Sequence, residues 1–184
     1  MTDAWTAFEA SGDRFGLAHA GMARGLIARD EGRRADAIAA FEAARRTFHQ
    51  LGHHNVAVAE CNLSQALLAD GRVEAARLAA ERGRAAAVEM RNDVYRVIAE
   101  MTLLPAVAHA GDDAAWDACW SALTTLMPRL GLALADAGEA LADAARRAAR
   151  HGWWERAAAA RSMAIAQFEG AGCPERAAAL RAGQ

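Results

Sequence analysis

The sequence contains no lysine, one tyrosine, three prolines and no long apolar run. Because a stretch of roughly 18 apolar residues is needed to cross a bilayer, no transmembrane helix and no membrane partner are predicted. The first residues lack the basic start and apolar core of a signal peptide. The cysteines, Cys61, Cys119 and Cys173, are odd in number and far apart, which is typical of reduced thiols. Together these absences predict a cytoplasmic location.

Charge and composition exclude further classes. Arginine supplies all 21 strong bases against 23 carboxylates, for a net charge of -2. This balance lacks the excess of basic residues that nucleic-acid binding requires, so no nucleic-acid partner is predicted. β-branched residues are sparse and alanine, leucine, arginine and glutamate dominate. Since these side chains lose little rotamer freedom on a helix, the composition predicts an all-α fold. The use of arginine in place of lysine, with abundant alanine and glycine, indicates a bacterial source.

Motifs for catalysis and cofactor binding are missing. The sequence has no GxSxG and no GxxxxGK[ST], and its serines lack an obvious neighbouring base. His49, His53 and His54 fall together in FHQLGHH and could ligate zinc or copper, but no cysteine or carboxylate stands at ligand spacing nearby. We therefore expect a non-enzymatic protein with no metal or cofactor, and interpret these histidines as exposed turn residues.

Glycines divide the chain at intervals of about 20 residues. Glycine supplies the positive φ that ends a helix, so each interval predicts one helix and each pair of intervals one helical hairpin. One position is skipped near Arg91 and Asn92, where asparagine is the next-best residue for a left-handed helix end. The glycines are Gly12, Gly32, Gly52, Gly71, Gly111, Gly131, Gly152 and Gly172.

The regular spacing predicts a stacked repeat. A single hairpin of this size cannot bury its apolar face alone, whereas stacked hairpins bury a continuous core. The alternative is a compact helical bundle, which would not need so regular a spacing. We predict one domain over residues 1–184, with hairpins at about 14–50, 53–90, 93–129 and 132–170 and a closing helix at about 174–182.

The pattern resembles that of tetratricopeptide repeats (TPRs), in the longer variant of about 40 residues found in bacterial regulatory and signalling proteins. In that family the second helix follows a glycine and carries a small residue five positions later, as Ala37 follows Gly32 and Ala76 follows Gly71. The segment NLSQALLADG is similar to a TPR first helix. The resemblance implies a right-handed α-α superhelix of about four hairpins with short terminal helices.

The third hairpin departs from the TPR pattern. Trp116 stands at the small-residue position after Gly111, and Trp120 stands at the large-residue position. We therefore expect either a register shift by one residue, which places Ala115 and Cys119 at these positions, or a splayed hairpin. Pro105 lies inside the preceding helix, where it removes a hydrogen bond and clashes with the previous turn. A kink is therefore predicted before Pro105.

The resemblance also implies a function. In TPR proteins the first helices line a concave groove that accepts a peptide or a partner helix, which implies a protein-binding scaffold, adaptor or regulatory module. Asn62 stands where TPRs often place an asparagine that bonds the ligand backbone. The lining residues carried over are His19, Met22, Leu26, Arg29, Val58, Cys61, Asn62, Gln65, Ile98, Met101, Thr102 and Pro105, followed in the fourth hairpin by Glu139, Asp143 and Arg146.

Two other functions stay open. The TPR regions of bacterial transcription regulators and kinases imply a sensor domain that closes around a small ligand. Self-association through the end helices or the tryptophans would give a structural role as a homodimer. Trp153 and Trp154 are adjacent and point about 100° apart on a helix, so one of them is expected to be partly exposed as a contact surface.

Overall fold

A computed structural model describes residues 2–183, with side chains from Trp5 to Gly183. Over this range the chain is all-α, with ten helices and no strand. The predicted all-α fold of successive helical hairpins between two short end helices is confirmed. The helices are α1 (Thr2–Ser11), α2 (Arg14–Asp30), α3 (Arg34–Gln50), α4 (Asn55–Ala69), α5 (Val73–Glu89), α6 (Asp93–Ala110), α7 (Asp113–Leu130), α8 (Ala135–Arg150), α9 (Trp154–Gly170) and α10 (Pro174–Ala182).

Eight of the nine turns between the described helices repeat one hydrogen-bond pattern, and the turn between α7 and α8 is the exception. All eight glycines of the regular spacing have positive φ. After α3, the His53 N–H donates to the Phe48 carbonyl at 2.9 Å, and after α5 the Asn92 N–H donates to the Ala87 carbonyl at 2.9 Å. A bond that closes six residues around a left-handed residue is the Schellman motif. Each such turn satisfies the last carbonyls of one helix and reverses the chain into the next.

The position without glycine is occupied by Arg91. Its φ of 52° is the one positive φ of a non-glycine residue within the described range. Asn92 instead begins the next helix, because its Oδ1 accepts a hydrogen bond from the Tyr95 N–H at 3.0 Å. The sequence-based assignment of Asn92 to the left-handed position is therefore wrong by one residue, since its side chain serves as a helix cap.

By contact density the chain forms two units, residues 1–95 and 96–184. In the first unit α1 lies against α2, α2 packs on α3, α3 on α4 and α4 on α5. In the second, α8 packs on α9 and α9 on α10. The helix bounds lie close to the predicted hairpin bounds, whereas the single domain over 1–184 stays a prediction.

Phenylalanine rings over glycines set the closest packing within the hairpins. Phe41 of α3 is fully buried and covers Gly25 of α2, where an added Cβ would lie 2.5 Å from the ring. In the second unit Phe168 of α9 covers Gly138 of α8, where an added Cβ would lie 2.9 Å from the ring. Each ring occupies the volume that a side chain on the facing helix would need, so the two helices approach closely.

The irregular third hairpin keeps its tryptophan inside. Trp116 and Cys119 of α7 are buried, while Ala115 and Trp120 are partly exposed. The Trp116 ring stacks on Trp120 and meets Trp153 edge-on, with centroids 6.0 Å apart in both pairs. The helix α6 continues through its proline without interruption.

The left-handed arginine gives a first prediction. Arg91→Gly is expected to raise the free energy of unfolding by about 1 kcal/mol, because glycine adopts a positive φ without a steric cost at Cβ. Arg91→Ala is the matched control, since it removes the same side chain but keeps the Cβ. Urea denaturation measures both variants, and an equal change in the two would contradict the explanation.

The glycine under Phe41 gives a second prediction. Gly25→Ala is expected to lower the free energy of unfolding by about 1–3 kcal/mol, because the added methyl overpacks against the ring. Gly21→Ala, in the same helix, meets no atom closer than 3.8 Å and should be neutral or stabilising. Thermal denaturation compares the two variants. Phe41→Leu should relieve part of the loss in Gly25→Ala, and a Gly25→Ala protein as stable as Gly21→Ala would refute the packing argument.

Candidate functional site

The helices α2 and α4 lie side by side in the first unit and share an outer surface. His19 Nε2 lies 2.9 Å from Asn55 Nδ2, and Arg29 Nη1 donates to Gln65 Oε1 at 3.0 Å. Both pairs are separated by 36 residues, so the contacts between α2 and α4 keep the same register at both ends of the shared surface.

Between these two pairs, the same spacing matches Met22 with Val58 and Leu26 with Asn62. The surface is apolar in the middle, apart from Asn62, and polar at both ends. Met22 is buried, with 9% of its surface exposed, and the other seven side chains are exposed or half-buried. We call this surface the α2–α4 face, made of His19, Met22, Leu26, Arg29, Asn55, Val58, Asn62 and Gln65.

Asn62 has unused hydrogen-bonding capacity. Its side chain is half-buried in the α2–α4 face and forms no hydrogen bond to any residue in the described part of the chain. A carboxamide carries both a donor and an acceptor, as a peptide group does. It can therefore pair with the backbone of an extended ligand in the same way as a neighbouring strand would.

Five of the sequence-predicted lining residues are buried, namely Met22, Cys61, Met101, Thr102 and Pro105. Cys61 faces α5, where a Cβ added to Gly83 would lie 3.2 Å from its Sγ. Thr102 Oγ1 donates to the carbonyl of Ile98 one turn earlier at 2.8 Å. The side chains of these five residues pack inside the protein, so the structure does not present them on an open groove.

Three of these buried residues, Met101, Thr102 and Pro105, lie on α6. Residues 101–108 are buried without exception, and Ile98 is half-buried at the start of this segment. The segment reads MTLLPAVA and contains no charged residue. A helical segment that is apolar on all sides is a buried segment. The absence of charge from residues 101–108 was therefore a signal in the sequence that this part of α6 is not exposed.

The candidates on α8 are engaged in ion pairs within the second unit. Asp143 accepts hydrogen bonds from Arg147 at 2.7 Å and from Arg146 at 3.3 Å. Glu139 accepts one from Arg176 of α10 at 2.6 Å. The Glu139–Arg176 pair joins α8 to α10, whereas both pairs of Asp143 lie within α8.

The FHQLGHH turn packs into a cluster of rings. The His53 ring centroid lies 4.7 Å from that of Phe15, 5.7 Å from that of Phe48 and 3.9 Å from that of His54. The Asn55 backbone N–H donates to His53 Nδ1 at 3.2 Å, so this nitrogen carries no proton. We call these rings, with His19, the His53 cluster.

The His53 cluster corrects part of the sequence interpretation. His49 and His54 are exposed, as expected of turn residues, but His53 is half-buried. Its pKa is lowered from 6.5, first by desolvation and then by the neighbouring His54 and His19. The neutral ring is thus the form that packs. Among the described residues, no group of three His, Cys, Asp or Glu side chains is placed to hold a metal ion.

A buried carboxylate fixes α4 behind the face. Glu60 accepts two hydrogen bonds from Arg82 of α5, at 2.8 and 3.0 Å, and one from Arg45 of α3 at 3.3 Å. The hydrogen bond with Glu60 raises the pKa of Arg82. Because a bidentate Arg–carboxylate pair is geometrically specific, it holds α4 in one position relative to α5. Sequence reasoning missed this residue, which stands alone among apolar neighbours.

The two adjacent tryptophans have different surroundings. Trp154 is 70% exposed, and Trp153 is half-buried. The Arg156 guanidinium lies 4.7 Å from the Trp153 ring centroid and donates to Asp117 at 2.9 Å and to Asp113. Hydrogen bonding to Asp113 raises the pKa of Arg156. Trp154 is therefore the accessible member of the pair.

Comparison with the models of known protein families finds no match for this chain. Comparison with curated proteins finds no similar sequence. Within residues 2–183, every helix is too short or too polar to cross a bilayer.

The lowered pKa of His53 gives a third prediction. Between the two pKa values the unfolded chain binds a proton at His53 more readily than the folded chain does. Its contribution to stability is therefore complete above about pH 6.5 and is lost as the pH falls through the lowered pKa. Urea denaturation between about pH 7.5 and pH 5.5 measures this loss in the free energy of unfolding.

Two variants isolate the contribution of His53. His53→Gln should remove this part of the pH dependence, whereas His49→Gln, at an exposed position, should keep it. If the wild-type protein and both variants showed parallel pH dependence, the packed neutral ring would not be its source.

Proposed function

We propose that this chain is a non-catalytic interaction module that binds an extended peptide segment of a partner protein on the α2–α4 face. The observation that carries the proposal is the side-chain amide of Asn62, which stands in the middle of this face without a hydrogen-bond partner among the described residues. An amide in this position suits the N–H and C=O groups of a bound backbone.

The surroundings of Asn62 supply the affinity. Leu26 and Val58 are half-buried beside it, so a ligand side chain that covers them removes apolar surface from water. Arg29 at one end and His19 at the other give the ligand polar contacts of different chemistry, a guanidinium and an imidazole. Such a difference between the two ends sets the direction in which a peptide lies.

The face is also formed before any ligand arrives. The hydrogen bonds Arg29–Gln65 and His19–Asn55 join α2 to α4, and Glu60 fixes α4 from behind. A preformed surface leaves less conformational entropy to be lost on binding. This supports binding of a flexible peptide, which must itself be ordered.

The resemblance of the sequence to TPRs supports the same proposal, in which the chain is a TPR-like adaptor or regulatory module of a bacterial cytoplasm. Self-association is a second candidate function, favoured by the exposed Trp154. Light scattering on the purified chain measures its mass and separates a dimer from a monomer.

Peptide selection tests the proposal directly and gives a fourth prediction. A random peptide library is selected on the immobilised chain, and the peptides obtained are measured by calorimetry. Asn62→Ala should weaken binding about tenfold, because it leaves backbone groups of the ligand unpaired. Leu26→Asp combined with Val58→Asp should abolish binding, since two carboxylates would replace the apolar centre.

Control variants show whether the effect belongs to this face. Leu78→Asp and Val88→Asp change apolar side chains on α5 that are 55% and 52% exposed, and both should leave binding intact. Circular dichroism and thermal denaturation verify that each variant is folded. A library that yields no binder, or binders that are indifferent to Asn62, Leu26 and Val58, would overturn the proposal.

A further inference from the structure

A cavity of about 530 Å³ lies in the first unit, between α1, α2 and α3. Its volume falls within the roughly 300–1,000 Å³ typical of small-molecule sites. Arg24 of α2 lines it, and at about 100° per residue this side chain points about 180° away from the middle of the α2–α4 face. The cavity is therefore separate from the surface that we propose for peptide binding.

The walls of the cavity are apolar and partly aromatic. Its floor is made of small residues that include Gly21 of α2 and Ala40 and Ala43 of α3. Trp5 of α1 and Ile27 of α2 rise beside this floor, and Ile27 is 38% exposed. The small floor leaves room for a flat group, while the indole and the exposed isoleucine offer apolar surface that a ligand would remove from water.

The charged side chains that line the cavity are Arg24, Arg33 and Asp36. Arg33 donates to Asp36 at 2.7 Å and to Glu31 at 2.5 Å, so carboxylates compensate its charge. The Arg24 guanidinium lies 4.8 Å from the Trp5 ring centroid and forms no ion pair with any residue that the structure describes. The cavity thus combines an aromatic wall with a guanidinium, that of Arg24, which has no carboxylate partner among the described residues.

We propose that this cavity binds a small aromatic carboxylate. The aromatic ring of the ligand covers the alanine floor and contacts Trp5 and Ile27. Its carboxylate accepts hydrogen bonds from Arg24, in the paired geometry that guanidinium and carboxylate groups favour. The proposal goes beyond peptide binding and stands independently of it, because the two sites use opposite sides of α2.

An aromatic anion whose fluorescence rises in apolar surroundings, 8-anilinonaphthalene-1-sulfonate, is a suitable probe and gives a fifth prediction. The intact chain should bind it saturably at one site. The competitor 3-phenylpropionate should displace the probe, and its uncharged amide should require about tenfold higher concentration, since the amide loses the charged hydrogen bonds to Arg24.

Three substitutions locate the bound probe. Ala43→Phe fills the cavity from an exposed position and should abolish saturable binding. Arg24→Gln should weaken the carboxylate about tenfold and leave the amide unchanged. Arg46→Gln, on α3 outside the cavity lining, is the matched control and should behave as the wild type.

Three results would contradict the cavity proposal. Unchanged probe binding in folded Ala43→Phe, equal competition by acid and amide, or no saturable binding to the wild type would each overturn the proposal. The peptides selected on the α2–α4 face provide an independent readout, because their binding should survive Ala43→Phe and Arg24→Gln. Failure of the cavity proposal is therefore distinguishable from failure of the peptide proposal.

Discussion

The fit of the Phe41 ring over Gly25 is the constraint on which the first unit depends. A ring can occupy that place only because the facing helix has no side chain there, so α2 and α3 approach closely and in one register. The next helix, α4, then packs on α3, and the buried Glu60 ties it to Arg82 of α5. The contact of Gly25 with Phe41 thus helps to position the α2–α4 face, although neither residue belongs to that face. In the second unit, Phe168 packs over Gly138 in the same way.

The α2–α4 face arises from a difference between two periods. Glycines repeat every 40 residues from Gly12 to Gly52. The side chains that meet across the face are instead 36 residues apart. The difference of four residues is about one helical turn, or about 6 Å along the axis, and it is the stagger of α4 relative to α2. Because the stagger is close to a whole turn, the two helices present equivalent sides, and apolar and polar positions align into continuous bands.

The sequence predicted what is decided locally. Helix ends follow from glycine and the backbone hydrogen bonds around it, so the helices could be placed almost to the residue. Arg91 was missed because nothing local favours arginine at a positive φ, and Asn92 was misplaced because its capping role depends on the helix that follows. Asn62 could be proposed from the resemblance to TPRs. The paired role of Asn55, the ring contacts of His53 and the cavity beside Trp5 could not be predicted, since each joins residues from different helices.

The guanidinium groups that join the helices have a chemical consequence. The contacts of Arg82 with Glu60 and of Arg156 with Asp117 use side chains that keep their charge far into alkaline solution. With no lysine in the sequence, none of these contacts can be removed by acetylating an amine. These ion pairs can therefore be broken by acid, which protonates carboxylates. Moderately alkaline solution and enzymes that modify lysine side chains do not break them.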